Sequence, residues 1–169
     1  MKYSNVLSLN TILRITHDFH KGGKVIGVTH GAFDLFHPGH LYLLEEAAKK
    51  CDFLVVGVES DEHVKSYKSY KRPIIDEKSR LQIISGIECV DAVFLNNLTF
   101  DSETFTSLYK EMHADLVISG NDFGYEDRLR MQAERAGAKA VSIKSRVHDP
   151  TTIIIKRVVE LYSEEIVDV

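Results

Sequence analysis

The densest chemistry in the chain lies between Thr29 and His40, in the string T-H-G-A-F-D-L-F-H-P-G-H. His37 and His40 stand three residues apart, and Pro38 suits the first position of a helix. The spacing predicts His37 near the helix cap and His40 in the first turn, with both imidazoles on one side. A helix start offers free N–H groups and partial positive charge, which makes it a natural phosphate site. Gly31 lets a ligand approach the backbone without meeting a Cβ. Taken alone, the histidine pair has two other readings. It could be two solvated polar residues at a helix start. It could also be a pair of zinc ligands, although HExxH is absent and no carboxylate or Cys follows at a convincing spacing.

Four further segments carry polar or glycine residues just after apolar runs. S-D-E-H-V-K-S-Y-K-S-Y-K-R-P, from Ser60, supplies Lys65, Lys68, Lys71 and Arg72 close together. It reads either as a solvated basic loop or as a cradle for a small anion. Arg80 sits among Leu81, Ile84 and Ile87, so it is either one exposed helix charge or a phosphate partner. In I-S-G-N-D-F, Gly120 permits close backbone approach, while Asn121 and Asp122 either bond a ligand or form an Asx turn. In R-V-H-D-P-T-T-I-I-I-K, Asp149 as N-cap and Pro150 at N1 make a good helix start with Thr151 and Thr152 in its first turn. An Asp149 cap would repel an anion there, and Lys144 and Arg146 stand nearby as charge partners.

The first string resembles the T-x-G-x-F-D-x-x-H-x-G-H signature of the cytidylyltransferase-like nucleotidyltransferases, at Thr29, Gly31, Phe33, Asp34, His37, Gly39 and His40. From Asp61 through Arg72-Pro73, Arg80 and Val90-Asp91 the chain resembles the heptose-phosphate adenylyltransferases within that family. F-D-L-F-H-x-G-H is also similar to the glycerol-phosphate cytidylyltransferases. The resemblance covers about residues 8 to 160. It implies transfer of AMP or CMP from ATP or CTP to a phosphorylated acceptor with release of pyrophosphate, in the presence of Mg²⁺. The ungapped Asp61 to Asp91 spacing leans toward ATP and a sugar phosphate.

By that resemblance, His37 and His40 contact the phosphates, and Lys65 or Lys68 bridges acceptor and α-phosphate. Arg80, Thr151 and Thr152 hold the outer phosphates. Thr29, Gly31, Phe33, Asp34, Gly39, Gly120 and Asp122 line the nucleotide pocket, no residue is assigned to a metal, and the chain is expected to form a homodimer. Three departures stand out. His30 occupies a position where the heptose group usually has Asn. Ser119-Gly120-Asn121 replaces a more basic, glycine-richer turn. Pro150 stands where a serine is usual, which motivates the alternative of a non-catalytic nucleotide-binding module.

The elements that must position these residues alternate in kind. Short apolar runs at 24–29, 53–58, 92–95, 115–119 and 140–143 read as strands, the second covered on both faces. Helical spacing appears at Leu41, Leu44, Ala47 and Ala48, at Leu81, Ile84 and Ile87, and at Phe105, Leu108 and Met112. It recurs around 129–136 and 154–161, and Leu9, Ile12, Leu13 and Phe19 predict a helix before the first strand. The alternation predicts an α/β fold: a Rossmann-like parallel sheet of about five strands with helices on both faces. Ligands in such a sheet bind beyond the carboxyl ends of the strands.

The length, 169 residues, fits one domain over 1–169 with a core at about 24–160. A formal charge of −4 argues against non-specific nucleic-acid binding. Cys51 and Cys89 form neither a disulfide framework nor a CxxC pair and suit a reducing cytoplasm. No apolar stretch approaches the ~20 residues of a membrane span.

Overall fold

A computed structural model describes residues 5–99, 101–121, 124, 126–144 and 151–163. Its centre is a five-stranded sheet in the order β3-β2-β1-β4-β5, with every neighbouring pair parallel. The strands are β1 (Ile26–Gly31), β2 (Phe53–Glu59), β3 (Ala92–Asn96), β4 (Leu116–Gly120) and β5 (Lys139–Ile143). Between and around them run α1 (Leu9–Lys21), α2 (Pro38–Ala48), α3 (Asp61–Tyr67), α4 (Glu77–Ser85), α5 (Ser102–Glu111), α6 (Glu126–Ala136) and α7 (Thr151–Tyr162).

Each face of the sheet buries its own apolar cluster. One joins Ile12 of α1, Phe105, Leu108 and Tyr109 of α5, and Ala133 of α6 to the sheet. The other joins Leu43, Leu44 and Ala47 of α2 and Ile84 of α4 to it. Burying each such aliphatic or aromatic side chain contributes about 1.5–3 kcal/mol, which explains the helical spacing read from the sequence. All seven residues of β2 are buried, as its continuous apolar run requires.

The amino ends of the strands are tied by carboxylates. Asp52 accepts from the Val25 N–H, Asp115 from the Ile26 N–H and Asp91 from the Leu54 N–H, each at 2.8 Å. The carboxyl ends open onto the ligand side. Strand order reverses direction between β1 and β4, which places the expected crevice there. Close packing under that crevice needs Gly57: a Cβ there would lie 2.9 Å from the Phe94 ring and 3.2 Å from the His30 Cβ.

One expectation about local structure changes. The basic stretch after β2, which reads from sequence either as a solvated loop or as an anion cradle, begins with α3. Ser60 caps it by accepting from the His63 N–H, and Asp61 and Glu62 occupy its first turn. Only Val64 of this short helix is buried, so no apolar period marked it in the sequence.

Candidate functional site

The predicted helix start is present. His37 is the N-cap of α2, in extended conformation, and Pro38 opens the helix. Its Nδ1 accepts from the Gly39 N–H at 3.1 Å, which leaves the ring proton on Nε2. The His37 and His40 rings stack with centroids 3.8 Å apart. Phe33 meets His40 edge-on at 5.4 Å, and Phe36 lies against the same ring at 5.6 Å. Burial, then His37 and Lys68, push the His40 pKa down to about 3. Burial and Lys68 also lower that of His37. Both imidazoles are therefore neutral at physiological pH, and His40 Nδ1 is buried without a hydrogen-bond partner among the described residues. The arrangement offers hydrogen-bond donors to an anion, not imidazolium charge.

Positive charge comes from the segment that follows α3. Lys68 is the C-cap of α3. Burial of its ammonium, with Arg72 as the next cause, lowers its pKa. Arg72 pairs with Asp34 through Nε at 2.6 Å, and its Nη2 is buried with no partner among the described residues. Asp34 also accepts from the N–H groups of Ile74 and Ile75 at 2.9–3.0 Å. Burial works to raise the Asp34 pKa, but those amides and Arg72 outweigh it, and the net shift is downward. Asp34 thus clamps the chain from Arg72 to Ile75 beside the histidine pair. Phe33 and Leu35, on either side of it, have left-handed backbone with φ of 50° and 47°. Such conformations in residues other than glycine cost of order 1–3 kcal/mol each and persist where the surroundings dictate them.

Arg80 overturns the reading as an exposed helix charge. It is fully buried. Its guanidinium donates to the Ala32 carbonyl, to the Ile75 carbonyl at 2.9 Å and to Asp61 at 2.7 Å. It braces both walls of the site, the turn after β1 and the Asp34-clamped segment, from beneath. Thr151 is buried at the start of α7 and donates its hydroxyl to the Asp34 carbonyl at 3.0 Å, which docks α7 onto the same turn. Thr29 ends inside the sheet with a buried hydroxyl that has no partner among the described residues.

The structure therefore gathers Thr29, Gly31, Phe33, Asp34, His37, Gly39, His40, Lys68 and Thr151 around one turn. It does not bring Lys65 there: that side chain lines a separate open pocket with Asp61, Asp76 and Glu77. Thr152 is exposed on α7. Asp122, Arg146, Asp149 and Pro150 lie outside the described residues.

The pocket to which Gly31 and Gly120 were assigned has a lining that the sequence reading left out, Glu59 and its neighbours. A cavity of about 310 Å³ opens beside the histidine turn, lined by the carboxyl ends of β1, β2 and β4 and by α6. Gly31, Ser119 and Gly120 belong to it. A Cβ on Gly31 would meet only the Phe33 ring, at an ordinary 3.5 Å, so no protein atom requires glycine there and the space belongs to the cavity. Leu43, Phe105, Ile118 and Leu129 give it largely apolar walls, but Glu59, His30, His63 and Tyr67 also line it, as do Glu126, Arg128 and Gln132 of α6. The one sequence signal was Glu59 itself, an acid closing an otherwise apolar strand. Arg72 was visible only as one of several basic residues, because its partner Asp34 is 38 positions away.

Comparison with known proteins agrees with this geometry. The family described as cytidylyltransferase-like matches residues 28–165. The bifunctional protein HldE of Hyphomonas neptunium is 32% identical over 155 residues, covering 91% of this chain and 31% of that protein. HldE of Nitrobacter hamburgensis is 35% identical over 136 residues, covering 80% of this chain and 27% of that protein. The chain thus spans less than a third of the length of these relatives. Among solved structures, the lipopolysaccharide core biosynthesis protein from Thermoplasma volcanium matches with a TM-score of 0.61 and 30% identity. That match covers 75% of this chain and all of the other. No helix among the described residues is long and apolar enough to cross a membrane.

Proposed function

The chain belongs to the cytidylyltransferase-like family, and from that premise we propose that it transfers AMP from ATP to a sugar phosphate and releases pyrophosphate. The observation that carries this reading is the convergence of four groups on one turn: the stacked imidazoles of His37 and His40, Lys68, and the Nη2 of Arg72, which has no partner among the described residues. Neutral donors at a helix start, backed by two cations from another segment, fit a centre that must hold two mutually repelling phosphates.

In the proposed reaction an acceptor phosphate oxygen attacks the α-phosphorus in line. One P–O bond forms to the acceptor, and the bond from the α-phosphorus to the bridging oxygen of pyrophosphate breaks. The acceptor phosphate is ionised near neutral pH, so the protein need not supply a strong base. Its task is to align the two anions and to stabilise charge that builds on the α-phosphate and leaving group. His37 donates from Nε2, the proton position that its bond with Gly39 dictates. His40 stacks on it and presents the helix start. Lys68 and Arg72 approach from the opposite wall, where they bridge acceptor and α-phosphate.

Among the described residues no group of three or more His, Cys, Asp or Glu is placed to hold a metal ion, and the Asp34 carboxylate is already committed to Arg72 and two amides. Mg²⁺ therefore fits best as the counter-ion of the triphosphate, arriving with the nucleotide as part of the substrate. The choice of ATP and a sugar phosphate rests on the Asp61 to Asp91 stretch and on the HldE relatives. The test is pyrophosphate release with Mg²⁺ and either ATP or CTP, each against heptose 1-phosphate, glycerol 3-phosphate and phosphoethanolamine. Release with ATP and heptose 1-phosphate is expected. Release only with CTP would move the chain to the cytidylyl branch. Nucleotide binding without release under any acceptor would reject the transfer reading.

A further inference from the structure

Glu59 is 4% exposed at the carboxyl end of β2, where it lines the cavity beside the phosphate centre. Burial favours its neutral form, but His30 and Tyr67 outweigh that and hold it ionised. Its Oε2 accepts from the Tyr67 hydroxyl at 2.6 Å, and its Oε1 lies 3.8 Å from His30 Nδ1. On the far side, His30 Nε2 is 2.7 Å from the Tyr109 hydroxyl. The ionised Glu59 carboxylate can only accept, so it favours the His30 ring proton on Nδ1, the nitrogen that faces it, and leaves Nε2 to accept from the Tyr109 hydroxyl. His30, Glu59 and Tyr67 line the cavity and, with Tyr109 buried behind His30, form one polar chain, while Glu126, Arg128 and Gln132 of α6 add polar groups to a wall that is otherwise largely apolar.

We infer that Glu59 is a specificity-determining residue that accepts a hydroxyl of an uncharged, polyhydroxylated part of the ligand, with Tyr67 and His30 as its positioning residues. This rests on the transfer reading above. A carboxylate has about four acceptor sites and no donor. A ligand hydroxyl reaching Oε1 donates to a charged acceptor, the strong form of the bond. A phosphate or carboxylate placed directly against Oε1 would meet like charge there, which a neutral hydroxyl does not. A purely apolar group would seal the carboxylate from water and give it nothing in return. At Glu59 the preference is thus opposite to that of the histidine turn: phosphates are held at His37, His40, Lys68 and Arg72, and hydroxyl-bearing carbons beside Glu59. Two sources supply such hydroxyls, the sugar of the acceptor and the ribose of the nucleotide.

The test is equilibrium binding by calorimetry, read together with KM and kcat, for wild type, Glu59→Gln and Tyr67→Phe. The probes are heptose 1-phosphate, ethyl phosphate (which has no hydroxyl on carbon), ATP and 2′-deoxy-ATP. Glu59→Gln is expected to weaken heptose 1-phosphate about ten- to a hundredfold, the range for a hydrogen bond to a charged group. Ethyl phosphate and ATP should bind as before, and the acceptor KM should rise more than kcat falls. A general loss of structure would weaken all four probes alike and would overturn the assignment. Weakened ATP with unchanged 2′-deoxy-ATP and heptose 1-phosphate assigns the same hydroxyl chemistry to the ribose. Unchanged binding of every probe overturns the inference. Tyr67→Phe, on a half-exposed side chain, should lower the preference for heptose 1-phosphate over ethyl phosphate several-fold even if Glu59→Gln does not fold, and an unchanged preference overturns the inference. Absence of pyrophosphate release by wild type rejects the transfer reading alone, because the binding comparison still decides the role of Glu59.

Discussion

At the start of α2 the polar groups are donors and cations: two neutral imidazoles, Lys68 and Arg72. On the other side of the turn after β1, the cavity presents a buried carboxylate with a histidine and two tyrosines arranged to serve it. One crevice therefore holds two electrostatic environments, separated by a few residues of β1 and its following turn. The pairing of acids with bases differs as well. Asp34 is consumed by Arg72 and backbone amides and has no oxygen left for a ligand. Glu59 is backed by hydroxyl and imidazole groups and still lines open space. Two buried acids in one site thus divide into a structural clamp and a group available for recognition, and their partners decide which is which.

The largest way to break this division is to remove the clamp. Asp34→Ala leaves the Arg72 guanidinium buried without its partner and frees two amides. Losing one member of a buried pair costs about 3–5 kcal/mol. Urea unfolding should show that loss, together with collapse of nucleotide binding. A variant as stable as wild type would show that Asp34 does not organise the histidine turn.

His40 sharpens the same comparison on the donor side. His40→Ala should lower turnover by about two orders of magnitude, the range for a lost charge-stabilising donor. Wild-type turnover would remove His40 from the mechanism. Its buried neutral state also has a sign that can be checked. The unfolded chain takes up a proton near pH 6.5 that the folded ring refuses until about pH 3. Between those limits the unfolded state binds more protons, so the stability associated with His40 is fully present above pH 6.5 and is lost as pH falls. Thermal melts from pH 7 to pH 5 should drop more steeply for wild type than for His40→Asn. The other histidines are common to both proteins and cancel in the difference. Parallel slopes would mean that His40 titrates in the folded state near its ordinary value.

Much of this was legible in the sequence, for stated physical reasons. Strand and helix periods are local, so the parallel sheet and its helices followed from the spacing of apolar residues. His37 as cap and Pro38 as first residue are also local, since capping depends on neighbours in the chain. Three features were not local. Arg72 and Asp34 meet across 38 positions, His30 and Tyr109 across 79, and Thr151 reaches the Asp34 carbonyl across 117. Arg80, beside an apolar stripe, read either as an exposed helix charge or as a phosphate partner. Only the fold shows that three acceptors surround its guanidinium. α3 was hidden by its shortness and its single buried residue.

That hidden helix separates two lysines that the sequence treated alike, and it yields the smallest effect in the series. Lys65 and Lys68 stand three residues apart, which on a continuing helix would keep them on neighbouring faces. The helix ends at Tyr67, and Lys68, its C-cap, still donates its N–H to the Val64 carbonyl while its ammonium is buried beside Arg72 and the imidazoles. Lys65 stays on α3 and faces the acidic groups Asp61, Asp76 and Glu77. Lys68→Ala should therefore lower kcat/KM for the acceptor about tenfold, the size of one charge-assisted contact. Lys65→Ala should lower it by less, because its exposed surroundings screen the charge and offer it competing carboxylates. Equal losses in the two variants would mean that α3 rearranges when ligand binds and that both ammonium groups reach the phosphates. A larger loss for Lys65 would place the acceptor on the far side of α3 and detach it from the cavity floored by Glu59.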